Sequence, residues 1–257
     1  MDHADRVTAA GRELDDLLAA VAAGPLSTAV PTCPGWTVAD LTGHVGWFCT
    51  RWRDHLRGGG AEGRVRAADV VAPEGTDAAA AWLGGLRDEL LAELRPTTAD
   101  TPVWTWFPPD QTAGFVARRC ASELAVHRYD AQSARGTCAP IAPDLAVDGI
   151  EELLGPLATV DYRPDGVHGD GVHGETLHLH GTDDPATTGG VDLHAEWLLR
   201  LEPDRLVASR EHAKGDLALR AGVSDLELLL YGRPPLGPVQ RFGDEAILDI
   251  WYGAFRF

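Results

Sequence analysis

The chain has 257 residues, 44% of them hydrophobic, enough for one large domain or two ordinary ones with real cores. It carries 22 basic and 39 acidic side chains, a formal net charge of -17. Because nucleic acids and anionic lipids are bound by basic surfaces, this charge argues against either as a partner.

The N-terminus and the cysteines indicate a cytoplasmic protein. No apolar run approaches the roughly 20 residues that a transmembrane helix needs, and the acidic N-terminus lacks the apolar segment of a signal peptide. The four cysteines show no CxxC spacing and form no disulfide framework of the kind found in small secreted domains. We interpret them as reduced thiols: Cys33, Cys49, Cys120 and Cys138.

Hydrophobic periodicity predicts four helices in the first part of the chain. They cover residues 5–23, 38–56, 77–94 and 112–134. Thr37, followed by Asp40 three residues later, is typical of a helix N-cap with a short capping box. A long polar loop is predicted at 58–75, and a further amphipathic segment follows Pro143.

After about residue 160 the pattern changes from helical to alternating. A linker rich in Gly, His and Asp covers 161–175. Strands are predicted at 176–180, 197–201, 205–208, 217–221 and 239–242, the second and third forming a hairpin. This order predicts an α+β protein with a helical domain at 1–158 and a small α+β domain at 159–257.

The fourth predicted helix places a carboxylate and an imidazole four residues apart. Glu123 and His127 therefore share one helix face. Val116 and Cys120 lie on the same face, which indicates that it turns inward. A buried carboxylate is costly unless it is paired or bound to a cation, so the two residues form either a buried ion pair or part of a metal site.

The second predicted helix offers a third ligand. His44 lies on its inward stripe, three residues after Leu41 and four before Phe48. Two imidazoles and one carboxylate with an open fourth position are the donors of a catalytic zinc site, and other divalent ions also fit. The alternative for His44 is a core histidine bonded to a carbonyl or hydroxyl, and both interpretations stay open.

Further histidines lie in and after the predicted linker. His178 and His180 share a strand face, because alternate residues of a strand point the same way. No carboxylate or thiol joins them at a convincing spacing, so we interpret them as surface or hairpin histidines rather than a second metal site. The full set is His168, His173, His178, His180 and His194.

Two N-terminal segments carry a family likeness. One is VPTCPGWTVADLTGHVG at 30–46, and the other is ELAVHRYDA at 123–131. They closely resemble the two motifs of the mycothiol-dependent maleylpyruvate isomerase family. The pieces LHLHGTD, GD and LLLYGR further along the chain are similar to the smaller domain of that family. The resemblance implies a DinB-like four-helix bundle followed by a small C-terminal domain, which itself resembles sterol-carrier-like folds.

The resemblance also implies site residues. In that family the matching His, Glu and His bind zinc, which implies His44, Glu123 and His127 as ligands here. An arginine of the C-terminal domain contributes to the active site, and Arg233 is the best match in this chain. The alternative for Arg233 is a solvated cation at a helix end.

The implied activity uses mycothiol as a thiol that the metal activates as a thiolate. The thiolate would isomerise a maleylpyruvate-like acid or be transferred to an electrophile, so the expected partner is a small-molecule electrophile or an unsaturated acid. A net charge of -17 means that an anionic acid needs local cations such as Arg233 or Arg119. We expect a monomer or homodimer.

The alternative function is a non-catalytic binding protein. In that case the C-terminal domain would hold an apolar small molecule, and Glu123 and His127 would form a structural ion pair. Metal analysis separates the two hypotheses, because the enzyme requires stoichiometric zinc.

Overall fold

The computed structural model describes residues 1–58, 70–163, 172–184, 186 and 193–255. Packing divides the chain into two compact units, Met1–Ala139 and Pro140–Phe257. Most of the loop predicted at 58–75, and the middle of the linker predicted at 161–175, lie outside the described residues. Within those residues, no helix combines the length and hydropathy needed to cross a membrane.

The first unit contains four long helices. They are α1 (His3–Ala22), α2 (Val38–Gly58), α3 (Thr76–Leu94) and α4 (Ala113–Ser133). The four predicted helices are confirmed, and their ends differ from the prediction by at most two residues. Because α1 and α2 each pack against both α3 and α4, the unit is a four-helix bundle.

Helix α4 is buried on almost every side, rather than along the one inward stripe expected from the sequence. Leu124, Val126 and Tyr129 point in different directions around the helix, yet all three are buried. Buried polar groups on α4 must therefore find partners inside the protein. Arg128 does so: its Nε donates to Glu13 Oε2 at 2.8 Å.

Helix α2 begins at the predicted capping box. The Thr37 backbone N–H donates to Asp40 Oδ2 at 2.8 Å, and the Asp40 N–H donates to Thr37 Oγ1 at 3.4 Å. The hydrogen bonds from the Thr37 hydroxyl and backbone lower the pKa of Asp40. The ionised carboxylate therefore stabilises the start of the helix that carries His44.

We predict that Thr37→Ala lowers the free energy of unfolding by about 1 kcal/mol at pH 7, because the cap loses its hydroxyl. Thr37→Ser keeps the hydroxyl and is the matched control. The folded pKa of Asp40 lies below its unfolded value, so its contribution is present at neutral pH and is lost as the pH falls through the folded pKa. Urea denaturation measures both effects, and equal stability of the three proteins at pH 7 would contradict the prediction.

The second unit contains a five-stranded mixed sheet in the order β3-β2-β1-β4-β5. The strands are β1 (Thr176–Gly181), β2 (Glu196–Leu201), β3 (Leu206–Ser209), β4 (Leu217–Ala221) and β5 (Gln240–Gly243). Neighbours β1 and β4 are parallel, and the other neighbouring pairs are antiparallel. All five predicted strands are confirmed to within one residue at each end, and β2 and β3 form the predicted hairpin.

Helices complete the second unit. They are α5 (Pro143–Glu152), a π-helical segment (Leu153–Leu157), α6 (Ala158–Asp161), α7 (Val223–Leu230) and α8 (Ala246–Ala254). Helix α7 packs on β1 and β4, and α5 packs on α7. The division after residue 139 therefore differs from the predicted boundary after residue 158, because α5 packs within the second unit. The predicted α+β class is confirmed.

One face of the sheet is buried along its three central strands, β2, β1 and β4. Leu177, Leu179 and Leu199 are 0% exposed on that face. Since side chains alternate along a strand, His178 and His180 point to the opposite face. We call this opposite face the outer face of the sheet.

Candidate metal centre

Two helices of the bundle bring His44, Glu123 and His127 together. His44 Nε2 lies 3.4 Å from Glu123 Oε1, and His127 Nε2 lies 3.3 Å from the same oxygen. One potential ligand atom from each residue lies within 4.8 Å of the other two. The imidazole rings of the two histidines meet edge to face, with centroids 4.8 Å apart. We call these three residues the bundle cluster.

The second oxygen of Glu123 has a different partner. Arg119, one helical turn earlier on α4, forms an ion pair with Glu123 Oε2, which leaves Oε1 to face the histidines. Burial alone would raise the pKa of Glu123, but the charge of Arg119 and the hydrogen bonds of the histidines hold that pKa well below its usual range. From sequence, Arg119 is predicted only as a cation for an anionic substrate.

A buried carboxylate orients His127. Nδ1 of His127 lies 2.9 Å from Oδ2 of Asp130, which is fully buried. A carboxylate on one ring nitrogen fixes the ring and directs the other nitrogen, here Nε2, toward Glu123. Sequence reasoning missed this role of Asp130, although its i,i+3 spacing from His127 on a helix was a usable signal.

The protonation of His127 follows from these neighbours. Burial alone would lower the pKa of His127, but the hydrogen bonds and charges of Asp130 and Glu123 raise it to about 9. With no cation present, His127 is protonated at neutral pH. A metal ion that binds Nε2 must therefore displace a proton.

The bundle cluster is open on its His44 side. The side chain of His44 is 30% exposed, whereas those of Glu123 and His127 are 16% and 11% exposed. Two indoles flank the accessible imidazole, with centroids 5.2 Å away for Trp36 and 6.2 Å for Trp47. A small molecule can therefore reach the cluster past His44 and two aromatic rings.

The donor set of the bundle cluster suits zinc. Two imidazole nitrogens and one carboxylate oxygen are typical of catalytic zinc sites, which keep a fourth position for water or substrate. The Asp130 carboxylate behind His127 is the second feature of such sites, where it orients the ligand. The residues present therefore fit a divalent metal ion of the zinc class.

The cysteines are free thiols, as predicted. Cys49 is fully buried, and burial raises the pKa of its thiol to about 12. A thiol with that pKa is protonated at neutral pH and is a poor nucleophile. Cys49 is therefore structural.

Arg233 lies in the second unit, just after α7. It is only 7% exposed, and its Nη1 donates to the Tyr231 carbonyl oxygen at 2.7 Å. The alternative of a solvated helix-end cation therefore does not describe it. Its catalytic role stays a prediction.

The expectation that no carboxylate joins the strand histidines is wrong. The register of β1 and β2 places Glu196 directly opposite His180. Potential ligand atoms of His178, His180, Glu196 and His212 all lie within 4.8 Å of one another. We call these four residues the sheet cluster. The signal for this cluster was the pairing register of β1 and β2, which the sequence of neither strand reveals by itself. His168, another histidine named in the sequence analysis, lies outside the described residues.

The fold and the bundle cluster define a helical-bundle protein with a candidate metal centre and a following α+β unit. Residues 7–132 match the family model described as the mycothiol maleylpyruvate isomerase N-terminal domain. This match confirms, for the first unit, the resemblance predicted from sequence. A comparison with curated proteins found no match.

A solved structure extends the likeness of fold to the second unit. A crystal structure of the mycothiol-dependent maleylpyruvate isomerase is 17% identical in sequence and matches with a TM-score of 0.52, covering 94% of this chain and 93% of that chain. The chain therefore has the fold of that protein along nearly its whole length. A histidine-to-alanine mutant of the isomerase is also similar, with 15% identity, a TM-score of 0.46, and coverage of 89% of this chain and 88% of that one.

We predict that Asp130→Asn weakens zinc binding to the bundle cluster by about 10- to 100-fold, because His127 loses its charged orienting partner. The change is nearly isosteric, so thermal unfolding in excess chelator shows whether the fold is intact. Competition with a zinc chelator measures the affinity. Wild-type affinity in a folded variant would show that Asp130 does not orient a ligand.

Proposed function

We propose that this chain is a mycothiol-dependent enzyme in which His44, Glu123 and His127 hold a divalent metal ion, zinc. One observation carries the proposal: the three side chains converge to within 4.8 Å, with Asp130 behind His127. They do so in the domain that matches the isomerase family. The structural relative, which is a mycothiol-dependent maleylpyruvate isomerase, supports the reaction class.

A metal ion in the bundle cluster would lower the pKa of a thiol bound to it, so that mycothiol is present as a thiolate at neutral pH. The protein supplies the surroundings for that chemistry. Asp130 fixes the ring of His127, and Arg119 balances the charge of Glu123. The exposed side of His44 provides the route by which the thiol and the substrate approach.

The substrate in this proposal is a small molecule, either an unsaturated acid like maleylpyruvate or another electrophile. Reversible addition of the thiolate to an activated double bond permits cis–trans rotation, and displacement of a leaving group gives thiol transfer. The role of Arg233 as a cation for a substrate carboxylate is implied only by the family resemblance and stays a prediction. A monomeric or homodimeric state and a cytoplasmic location stay predictions.

We predict that His44→Ala and Glu123→Gln each lose one equivalent of metal per chain. Each should also lower thiol-dependent activity by at least about 100-fold, because a catalytic metal lowers the activation barrier by several kcal/mol. His3→Ala removes a histidine of the same unit outside the cluster and is the control. Elemental analysis measures the metal, and turnover of an unsaturated diacid and of an aryl halide with mycothiol measures the activity.

Full metal content and full activity in both ligand variants would exclude this proposal. Zinc-free wild-type protein that binds a lipid would instead favour the non-catalytic binding protein.

We predict that zinc binding at pH 7.5 releases about one proton from His127, whose pKa of about 9 keeps it protonated before the metal binds. Apparent affinity should therefore weaken by about tenfold for each unit that the pH falls below 9. Calorimetry in two buffers of different protonation enthalpy counts the protons. Since Asp130 raises the pKa of His127, zinc binding to Asp130→Asn should release a smaller fraction of a proton than zinc binding to the wild type. Equal release by the variant and the wild type would contradict this assignment.

A further inference from the structure

The sheet cluster lies on the outer face of the sheet, where three strand residues meet a fourth from a connecting segment. His178 and His180 are two residues apart on β1 and share this face. Glu196 is the register partner of His180, and directly paired residues of antiparallel strands lie on the same face. Glu196 forms an ion pair with His180, so the pairing brings the carboxylate into the cluster.

His212 reaches the same carboxylate from the segment between β3 and β4. Its Nδ1 lies 3.0 Å and 3.1 Å from the two oxygens of Glu196. The ring centroid of His212 lies 5.7 Å from that of His178 and 6.2 Å from that of His180. One carboxylate is thus surrounded by three imidazoles, two of which it contacts directly.

The segment that carries His212 is held against the sheet. A Cβ added at Gly215 would lie 2.8 Å from the backbone nitrogen of His178, so the chain passes β1 too closely for a side chain. Two residues before His212, the Arg210 guanidinium lies over the ring of Trp197 at 4.6 Å. Arg210 also donates to the carbonyl oxygen of His194 at 2.6 Å. His212 therefore approaches the cluster from an anchored segment, although its side chain is exposed.

His178 provides independent evidence for a ligand. It is only 6% exposed, and its Nε2 has no hydrogen-bond partner among the residues that the structure describes. A buried polar nitrogen without a partner is unfavourable, and such atoms in native proteins call for an explanation such as an ion. A metal ion bound to Nε2 would satisfy this atom.

We propose that His178, His180, Glu196 and His212 bind a divalent transition-metal ion of the zinc class, which ties β1 to β2 and to the segment before β4. Three nitrogens and one oxygen favour zinc, cobalt, nickel or copper over magnesium and calcium, which prefer oxygen ligands. Four protein ligands complete a tetrahedral sphere, as in structural zinc sites. The site is separate from the bundle cluster, which supplies three ligands.

The test uses the full chain with the bundle cluster disabled by His44→Ala and Glu123→Gln together. After removal of metal with a chelator, this protein is titrated with Zn²⁺ alone, and in parallel with Co²⁺ alone. We expect one equivalent of Zn²⁺ to bind. The Co²⁺ protein should show the strong visible absorption of a tetrahedral ion.

Two variants made in that background locate the ligands. His212→Ala alters an exposed side chain, and Glu196→Gln is nearly isosteric, so neither disturbs the buried face of the sheet. Each should weaken zinc binding by more than about 100-fold. This is more than the loss expected when the removed residue only hydrogen-bonds to a metal ligand and does not bind the metal itself. His173→Ala removes an exposed histidine of the same unit outside the cluster and should leave the affinity unchanged.

Circular dichroism in chelator verifies that each variant is folded. Two results would overturn the proposal: no Zn²⁺ binding by the chain that lacks only the bundle cluster, or unchanged affinity in both His212→Ala and Glu196→Gln. Because the bundle cluster is absent from every protein in this series, a failure here leaves the proposed enzymatic function untouched. Loss of metal and activity in the bundle variants alone would likewise leave the sheet site untouched.

Discussion

The ionised carboxylate of Glu123 is the group that the first unit has to accommodate. It lies on α4, a helix buried on almost every side, where an uncompensated charge would be strongly unfavourable. Arg119 forms an ion pair with one oxygen of Glu123, and His44 and His127 face the other oxygen. The capping box that begins α2 and the Asp130 carboxylate that holds His127 both serve this arrangement. A metal ion would take the place of the proton on His127 and bind the same three donors.

The two clusters use different local geometries to gather similar donors. In the bundle, a carboxylate and an imidazole four residues apart on one helix meet an imidazole of a second helix, and one side remains accessible. On the sheet, two imidazoles two residues apart on β1 meet the opposite residue of β2, and His212 completes a set of four. Open three-ligand sites suit chemistry, whereas closed four-ligand sites suit structure. The proposed roles of the two clusters follow from this difference.

Local patterns predicted much of this molecule. Periodicity located the four helices and the five strands, because buried positions recur at fixed spacing in each kind of element. The i,i+4 spacing of Glu123 and His127 was readable for the same reason. His44 was readable as a candidate from the inward stripe of α2, and the family resemblance implied that it is a ligand. The sheet cluster was not predictable, because it depends on which residue of β2 faces His180 and on a distant segment that brings His212 to β1. The packing of α5 against α7 is a tertiary contact that local sequence patterns do not show, so the predicted boundary at 158 differs from the observed division after residue 139.

The most direct test of the account is a crystal structure of zinc-loaded protein with anomalous diffraction recorded on both sides of the zinc absorption edge. The account predicts a zinc-specific peak between His44 Nε2, Glu123 Oε1 and His127 Nε2, with metal–nitrogen and metal–oxygen distances of about 2.0–2.2 Å. Arg119 should remain paired with the other oxygen of Glu123, and Asp130 should remain bonded to His127. Zinc-loaded crystals with no anomalous peak at these three side chains, and with Glu123 bonded only to protein groups, would contradict the central claim.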